Sequence, residues 1–523
     1  MTYVDADKRY RYAGLTRVHA SGLSVADAVE RQRRLAYAEM RLMRLLASRV
    51  VTIPSRDVKA LLARLQYEGA LHADAWRGRV RELRTNKSKL EGAPDPALET
   101  LFDQAEHLPG AYPFLAVVAR LLKPALRDAY RAYERDTNGL ADYPSVRRVR
   151  EALADEEEHL RLLRLALDDT HPCDEDRRLA DEWEGSLAAY LRAAGGIDGT
   201  GARPVSPPAR AASSEPYRIP HELARDESLP RVWDYVAPPL EEIPGRLDYM
   251  MGLRLSEINV AEGLAVVLCE TPDMPWSFYL DISRHCWDEM RHSLFGEAAI
   301  EDTYGDRAAV PMRDYEGVYA MQAPPLEQYA VLGLEVEGKN MKYPPGKRQE
   351  WEFARDIARH PLMATLQDYD WADEVLHVNI ARRQLDDWFE GGLAAIGDFA
   401  KAGKEHRTRI KGMRAPERLP RHEPRVPGII ERRESAHGPH RPARLRLRRY
   451  VLHAGAVRGT WSGGRRRVRA RPGEGGGLRR PVGHRGGERR HGRRRRAPGH
   501  RPAADRPAQQ GTPGGGTPGR RAR

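Results

Sequence analysis

The chain has 523 residues and a formal net charge of +12, a length that suggests two or three domains. Its three cysteines, Cys173, Cys269 and Cys286, form no close pair, which argues against a disulfide framework or a thiolate zinc site and fits a reducing cytoplasm. No apolar run approaches the roughly 20 residues that span a membrane, and the first residues lack an apolar signal core, so no membrane partner is expected.

The net charge hides an asymmetry. From residue 401 onward there are 36 Lys+Arg and 8 Asp+Glu, a net +28, which leaves −16 over the first 400 residues. An acidic body is followed by a basic tail.

Residues 1–23 form a polar lead. Ser24-Val-Ala-Asp27 reads as a helix start, and the helix runs to about Val51 with Leu35, Glu39, Leu42 and Leu46 on one face. A second helix ends near Arg84 and aligns Leu61, Leu65, Glu68, His72 and Trp76. Two more are expected over 114–134 and 145–167, the latter containing Glu156-Glu-Glu-His159 read as Glu-x-x-His. Residues 193–216 are rich in Gly, Pro, Ala and Ser and read as a linker between a 24–192 helical domain and a 217–400 domain. Helices then follow at about 239–270, 276–303, 324–342, 347–359 and 361–390, and no strand pattern stands out.

Residues 401–523 read as a disordered Arg/Gly/Pro-rich tail. After Lys411 it contains neither Lys nor Asn. That bias reads more readily as GC-rich DNA translated in the wrong frame than as a nucleic-acid-binding segment, so nucleic acid is not an expected partner.

Two helices of the 217–400 domain carry the chemistry. Trp287-Asp-Glu-Met-Arg-His292 places Glu289 and His292 one turn apart, and Asp373-Glu-Val-Leu-His377 does the same for Glu374 and His377. In both, the pair interrupts an otherwise apolar stripe: Phe278, Ile282, His285, Glu289, His292, Phe295 on one helix and Met363, Leu366, Asp370, Glu374, His377, Ala381 on the other. Burying such groups unpaired is costly, and a metal ion removes that cost. His285 alone reads as a core histidine. Two further helices supply one Glu each. Glu257 and Glu289 are equally far from the turn Thr271-Pro-Asp-Met-Pro275, which favours Glu257 over Glu262, and Glu337 shares a face with Leu326, Ala330 and Gly333, which favours it over Glu335. The expected metal ligands are therefore Glu257, Glu289, His292, Glu337, Glu374 and His377. Asp288 and Asp373 are placed to accept a hydrogen bond from an imidazole across the bundle.

This doubled Asp-Glu-x-x-His with two upstream glutamates resembles the ferritin-like di-iron carboxylate superfamily, which includes rubrerythrins, ribonucleotide reductase small subunits and bacterial multicomponent mono-oxygenases, over about residues 239–390. The helical patterns on either side of the linker give an all-α fold of two helical bundles, and the resemblance implies that the second is a ferritin-like four-helix bundle. It implies a cofactor of two iron ions, or Mn/Fe, and O2 or peroxide as co-reactant. The expected function is an oxidoreductase, a di-metal oxidase or oxygenase acting on an unidentified small molecule with an unidentified electron donor, and a homodimer is compatible with it. A protein that handles iron or peroxide without an organic substrate, and a non-catalytic helical interaction protein, stay open as alternatives. Glu39, Glu68, His72, Glu156 and His159 fall at similar relative places in the first half, which suggests a degenerate copy, but Glu68-x-x-x-His72 has the wrong spacing for a ligand pair.

Overall fold

The computed structural model describes residues 10–85, 90–204, 215–386 and 392–413. Helix α1 (Val25–Thr52) starts where Ser24 accepts a hydrogen bond from the Asp27 backbone, and α2 (Arg56–Glu82) starts at Ser55, which accepts one from Val58. Both serines satisfy backbone donors that a helix start leaves orphaned. Only Ile53-Pro54-Ser55 separates the two helices, so they pack as a hairpin around Leu35, Leu42, Leu46, Leu62 and Leu65. Helices α3 (Pro96–Ala105) and α4 (Ala111–Val117) follow. A π-helical turn, Val118–Leu122, leads into α5 (Lys123–Asp136), and α6 (Tyr143–Asp168) and α7 (Asp174–Ala193) complete the first half. Helices α1, α2, α5 and α6 form its bundle, while α3 and α7 pack outside it.

The second half opens with α8 (Ile243–Leu255) and α9 (Ile258–Glu270), where the sequence suggests one continuous helix. The break has a local cause. The Ser256 hydroxyl donates to the Gly252 carbonyl at 2.6 Å and accepts the Arg313 backbone N–H at 2.8 Å, a side-chain bond of the kind that bends helices. Helix α10 (Trp276–Tyr304) ends at Gly305, which adopts the left-handed conformation. Helices α11 (Tyr315–Gln322) and α12 (Pro325–Ala330) lead into a second π turn, Val331–Glu337, and the one-turn α13 (Gly338–Asn340). Then come α14 (Lys347–Glu352), a third π turn (Phe353–Ile357), α15 (Pro361–Asp386) and α16 (Gly392–Lys411). Helices α8/α9, α10, α12 with its π turn, and α15 surround the second bundle's core. Two glycines permit the closest crossings: a Cβ at Gly296 of α10 would lie 2.3 Å from the Leu255 backbone nitrogen, and one at Gly333 would lie 2.2 Å from the Ala381 Cβ of α15.

The fold is all-α; among the described residues its extended structure is one short parallel pairing of β1 (Arg231–Val232) with β2 (Met312–Arg313). The bundles lie side by side, with α1 and α2 against α9 and α10. Buried polar contacts tie them: Lys59 to Glu262 at 2.5 Å, Gln66 to the Ser283 carbonyl at 2.9 Å, and Arg56 to Glu297 at 2.5 Å. Residues 205–214 of the expected 193–216 linker lie outside the described residues, as does the expected disordered tail from 414 onward. Residues 401–411 belong to α16, so ordered structure runs past the expected boundary at 400. Ile396, Ala400 and Ile410 are buried, and Lys411 pairs with Asp234 at 3.0 Å. No helix among the described residues is long and apolar enough to cross a membrane.

A chain ended after Met413 is expected to keep the melting temperature of the full chain. A chain ended after Asp386 uncovers Val331 and Tyr319 and is expected to melt several degrees lower, because each large buried side chain contributes about 1.5–3 kcal/mol. Thermal unfolding followed by circular dichroism separates the two; equal melting temperatures would show that α16 contributes nothing to the fold.

Candidate metal centre

Helix α10 carries His285, Glu289 and His292, and α15 carries Asp370, Glu374 and His377. Both sets have the spacing i, i+4, i+7, which puts three polar side chains on one inward stripe of each helix. Glu257 comes from the break between α8 and α9, and Glu337 closes the π turn. All eight side chains are buried.

They form two adjacent groups, each with donor atoms within 4.8 Å of one another: His285, Glu289, Glu337 and His377 in the first, and Glu257, His292, Asp370 and Glu374 in the second. Glu289 sits between them. Its Oε1 lies 3.3 Å from His377 Nδ1, 3.5 Å from His285 Nε2 and 3.8 Å from His292 Nδ1. The outer nitrogens of the two Glu-x-x-His imidazoles face carboxylates across the bundle: His292 Nε2 is 3.3 Å from Asp373 Oδ2, and His377 Nε2 is 3.4 Å from Asp288 Oδ2. Arg291 donates to both aspartates, at 2.5 Å to Asp288 and 2.7 Å to Asp373. This frame turns each Nδ1 inward, as carboxylate partners do for metal-binding imidazoles.

The inward atoms face one another as imidazole–carboxylate pairs but make no hydrogen bond. Glu257 Oε2, Glu289 Oε1, His292 Nδ1, Glu337 Oε2, Glu374 Oε2 and His377 Nδ1 are all buried without a hydrogen bond. An unsatisfied buried polar atom costs about 1–3 kcal/mol, and the imidazole–carboxylate pairs among these six offset that cost only in part. A cation bound among them removes that cost. The donors are carboxylate oxygens and imidazole nitrogens with no thiolate, a set suited to iron or manganese.

The two groups differ in their resident charges. In the second group, the Lys347 ammonium lies 2.8 Å from Glu374 and 2.9 Å from Asp370. Arg254 pairs with Asp370 and, at 3.1 Å, with Glu257. Asp370 also accepts from Gln367 at 2.6 Å, so its oxygens are occupied. In the first group Glu289 and Glu337 pair with imidazoles alone, among the described residues. Burial, opposed by Lys347, pushes the Glu374 carboxyl up to about 7. Burial alone would lower the His377 imidazole, but the Asp288 and Glu289 carboxylates that face its two nitrogens outweigh that and raise it well above its ordinary value.

The structure thus gathers all six sequence-expected residues, and it adds His285 and Asp370. His285, expected as a core histidine, puts Nε2 2.9 Å from Glu337 Oε1 and stacks on His377 with ring centroids 3.7 Å apart. Both additions lie four residues before the Glu of their own helix, on the same stripe; that position is the signal sequence reading passed over. Lys347 and Arg254 carried no such signal. Of the rival carboxylates, Glu262 faces Lys59 and Arg225, and Glu335 faces Lys339 and Lys404, both outside the two groups.

No protein-family model, curated protein or solved structure matches this chain.

Glutamine at 257 or 262 separates the two roles. Glu257→Gln is expected to weaken metal binding strongly. Glu262→Gln is expected to leave metal binding nearly unchanged but to lower stability by about 3 kcal/mol, because Lys59 and Arg225 lose their buried counter-charge. Metal titration and urea unfolding of both variants check this; the reverse order of effects would refute the placement of Glu257.

Proposed function

We propose that the second bundle is a non-haem di-metal centre of the ferritin-like carboxylate type, holding two iron ions or Mn/Fe, and that it uses O2 or peroxide to oxidise a small organic molecule. The observation that carries this reading is the set of six buried donor atoms, none of them hydrogen-bonded, that converge from four chain segments around Glu289. Two Glu-x-x-His helices and two single glutamates are the donor set of helical-bundle di-metal carboxylate proteins. A non-catalytic helical protein gives no reason to leave these atoms unsatisfied.

Glu337, His377 and Glu289 would hold one ion, with His285 beside them, and Glu257, His292 and Glu374 the other, with Glu289 shared. Bound redox-active ions supply the electrons that reduce O2 or peroxide. The chain's own groups do the rest. Asp288 and Asp373 hold the outer imidazole nitrogens and fix the orientation of each ring. Lys347 and Arg254 offset the negative charge of Asp370 and Glu257.

A cavity of about 60 Å³ lies against the π turn that ends at Glu337, but none of the eight ligand-type residues lines it, so it does not separate an organic substrate from iron or peroxide handling. Val331, Leu332 and Val336 of that turn face Val260, Leu264 and Val267 of α9 across it, and Gln328, Asn259 and Arg407 add polar groups.

Anaerobic protein is expected to take up about two equivalents of Fe(II) per chain, the stoichiometry of such bundles, and its optical spectrum should change when O2 is admitted. His377→Ala should lose both responses. A wild-type stoichiometry near zero would sink the reading; uptake of iron with no spectral response to O2 would leave a metal site but remove the oxidase.

A further inference from the structure

The first bundle repeats the frame of the metal centre with two ligands exchanged. His72 stands between Glu39, 3.0 Å from its Nδ1, and Asp155, 3.0 Å from its Nε2. His292 stands the same way between Glu257, at 3.5 Å, and Asp373, at 3.3 Å. His159 Nε2 lies 2.6 Å from Glu68, as His377 Nε2 lies 3.4 Å from Asp288. The spacing agrees with the contacts. Asp155 precedes Glu156, and His159 follows three later, just as Asp373, Glu374 and His377 are arranged. Glu68 is four residues before His72, as Asp288 is before His292. This resolves the spacing that looks wrong in the sequence: Glu68 corresponds to the frame residue Asp288 and not to a ligand.

With that register, Gly69 stands where Glu289 stands. The π turn Val118–Leu122 leads directly into Lys123, as the π turn Val331–Glu337 closes on Glu337. The Lys123 ammonium lies 2.6 Å from Glu156 Oε1 and 3.2 Å from His159 Nδ1, and Glu337 faces His377 Nδ1 at 3.7 Å in the same way. What survives is a ligand-like set: Glu39, His72 and Glu156 have donor atoms within 4.8 Å of one another. Glu39 Oε2 and Glu156 Oε2 are buried without a hydrogen-bond partner. A Cβ at Gly69 would lie 3.3 Å from Glu39 Oε2, so a side chain in the place of the lost central carboxylate needs the Glu39 carboxylate to give by a few tenths of an ångström.

We infer that the first bundle contains a second metal cage that two residues keep closed: Lys123, whose ammonium occupies the place of the cation, and Gly69, which removes the carboxylate that would join two ions. Opened, the cage takes a divalent cation that accepts oxygen and nitrogen donors. Closed, it is a self-neutralised core that holds α1, α2, α5 and α6 together without metal, leaving redox chemistry to the second bundle.

The test uses Co(II), whose visible absorption reports coordination, with the full-length chain, and counts ions relative to wild type, so the result does not depend on what the second bundle binds. The double variant Gly69→Glu, Lys123→Glu is expected to bind about one or two further equivalents, the capacity of such a bundle, and adding His72→Ala should abolish the gain. Lys123→Met, which removes the charge and keeps the bulk, should show a melting temperature that rises with Co(II) more than that of wild type. A folded double variant with the wild-type ion count would overturn the inference, and so would a double variant that stays unfolded in excess Co(II). It would equally be overturned if the chain carrying Glu289→Ala and His377→Ala still bound an ion that His72→Ala removes.

Discussion

The desolvation of Glu289 is the constraint on which the second bundle depends. Its carboxylate is buried at the meeting point of three imidazoles, and no Lys or Arg side chain pairs with it among the described residues. Burying an ionised carboxylate is tolerable only when charge and hydrogen bonds are supplied inside the protein. The surroundings are built to do that. Helices α10 and α15 each present three polar side chains along one stripe, and Asp288 and Asp373 orient the outer imidazole nitrogens. The Ser256 break places Glu257 on the remaining side.

Elsewhere the same chain solves the same problem with its own cations. Glu262 is buried between Lys59 at 2.5 Å and Arg225 at 2.5 Å, and Asp314 between Arg225 at 3.0 Å and Arg231 at 2.9 Å. Glu156 has Lys123. Glu262 and Asp314 are satisfied in this way, although a buried ion pair of this kind is not by itself a source of large net stability. Among the described residues no such cation stands at Glu289 or Glu337, within a protein that supplies one so readily, and this distinguishes the candidate metal centre from the structural networks around it.

Much of this was legible in the sequence because helical periodicity is a strong constraint. A Glu-x-x-His on an apolar stripe must face inward, and two of them in one domain must face each other. The turn at Thr271–Pro275 fixed the height of Glu257. His285 and Asp370 were visible on the same stripes, but a single polar residue on an apolar face does not announce whether it meets a ligand or a hydrogen-bond donor. Arg254 and Lys347 could not be read at all. One sits on the α8 side of a helix break that arises from a Ser256 contact with distant Arg313, and the other follows a Pro-rich loop, so their positions depend on tertiary packing. Helices α3, α7, α11 and α16 were missed, although α3 opens on an Asp95 cap followed by Pro96 and α7 on three acidic residues, start signals that were present in the sequence. The break in composition after Lys411, in contrast, coincides with the end of α16.

Anomalous diffraction from crystals of the full-length protein grown with Fe(II) is the most direct measurement. Two peaks are expected in the second bundle, one among Glu289, Glu337 and His377 and the other among Glu257, His292 and Glu374, with none among Glu39, His72 and Glu156. An empty second bundle in iron-saturated crystals would contradict the reading of Glu289 as the centre of a metal site.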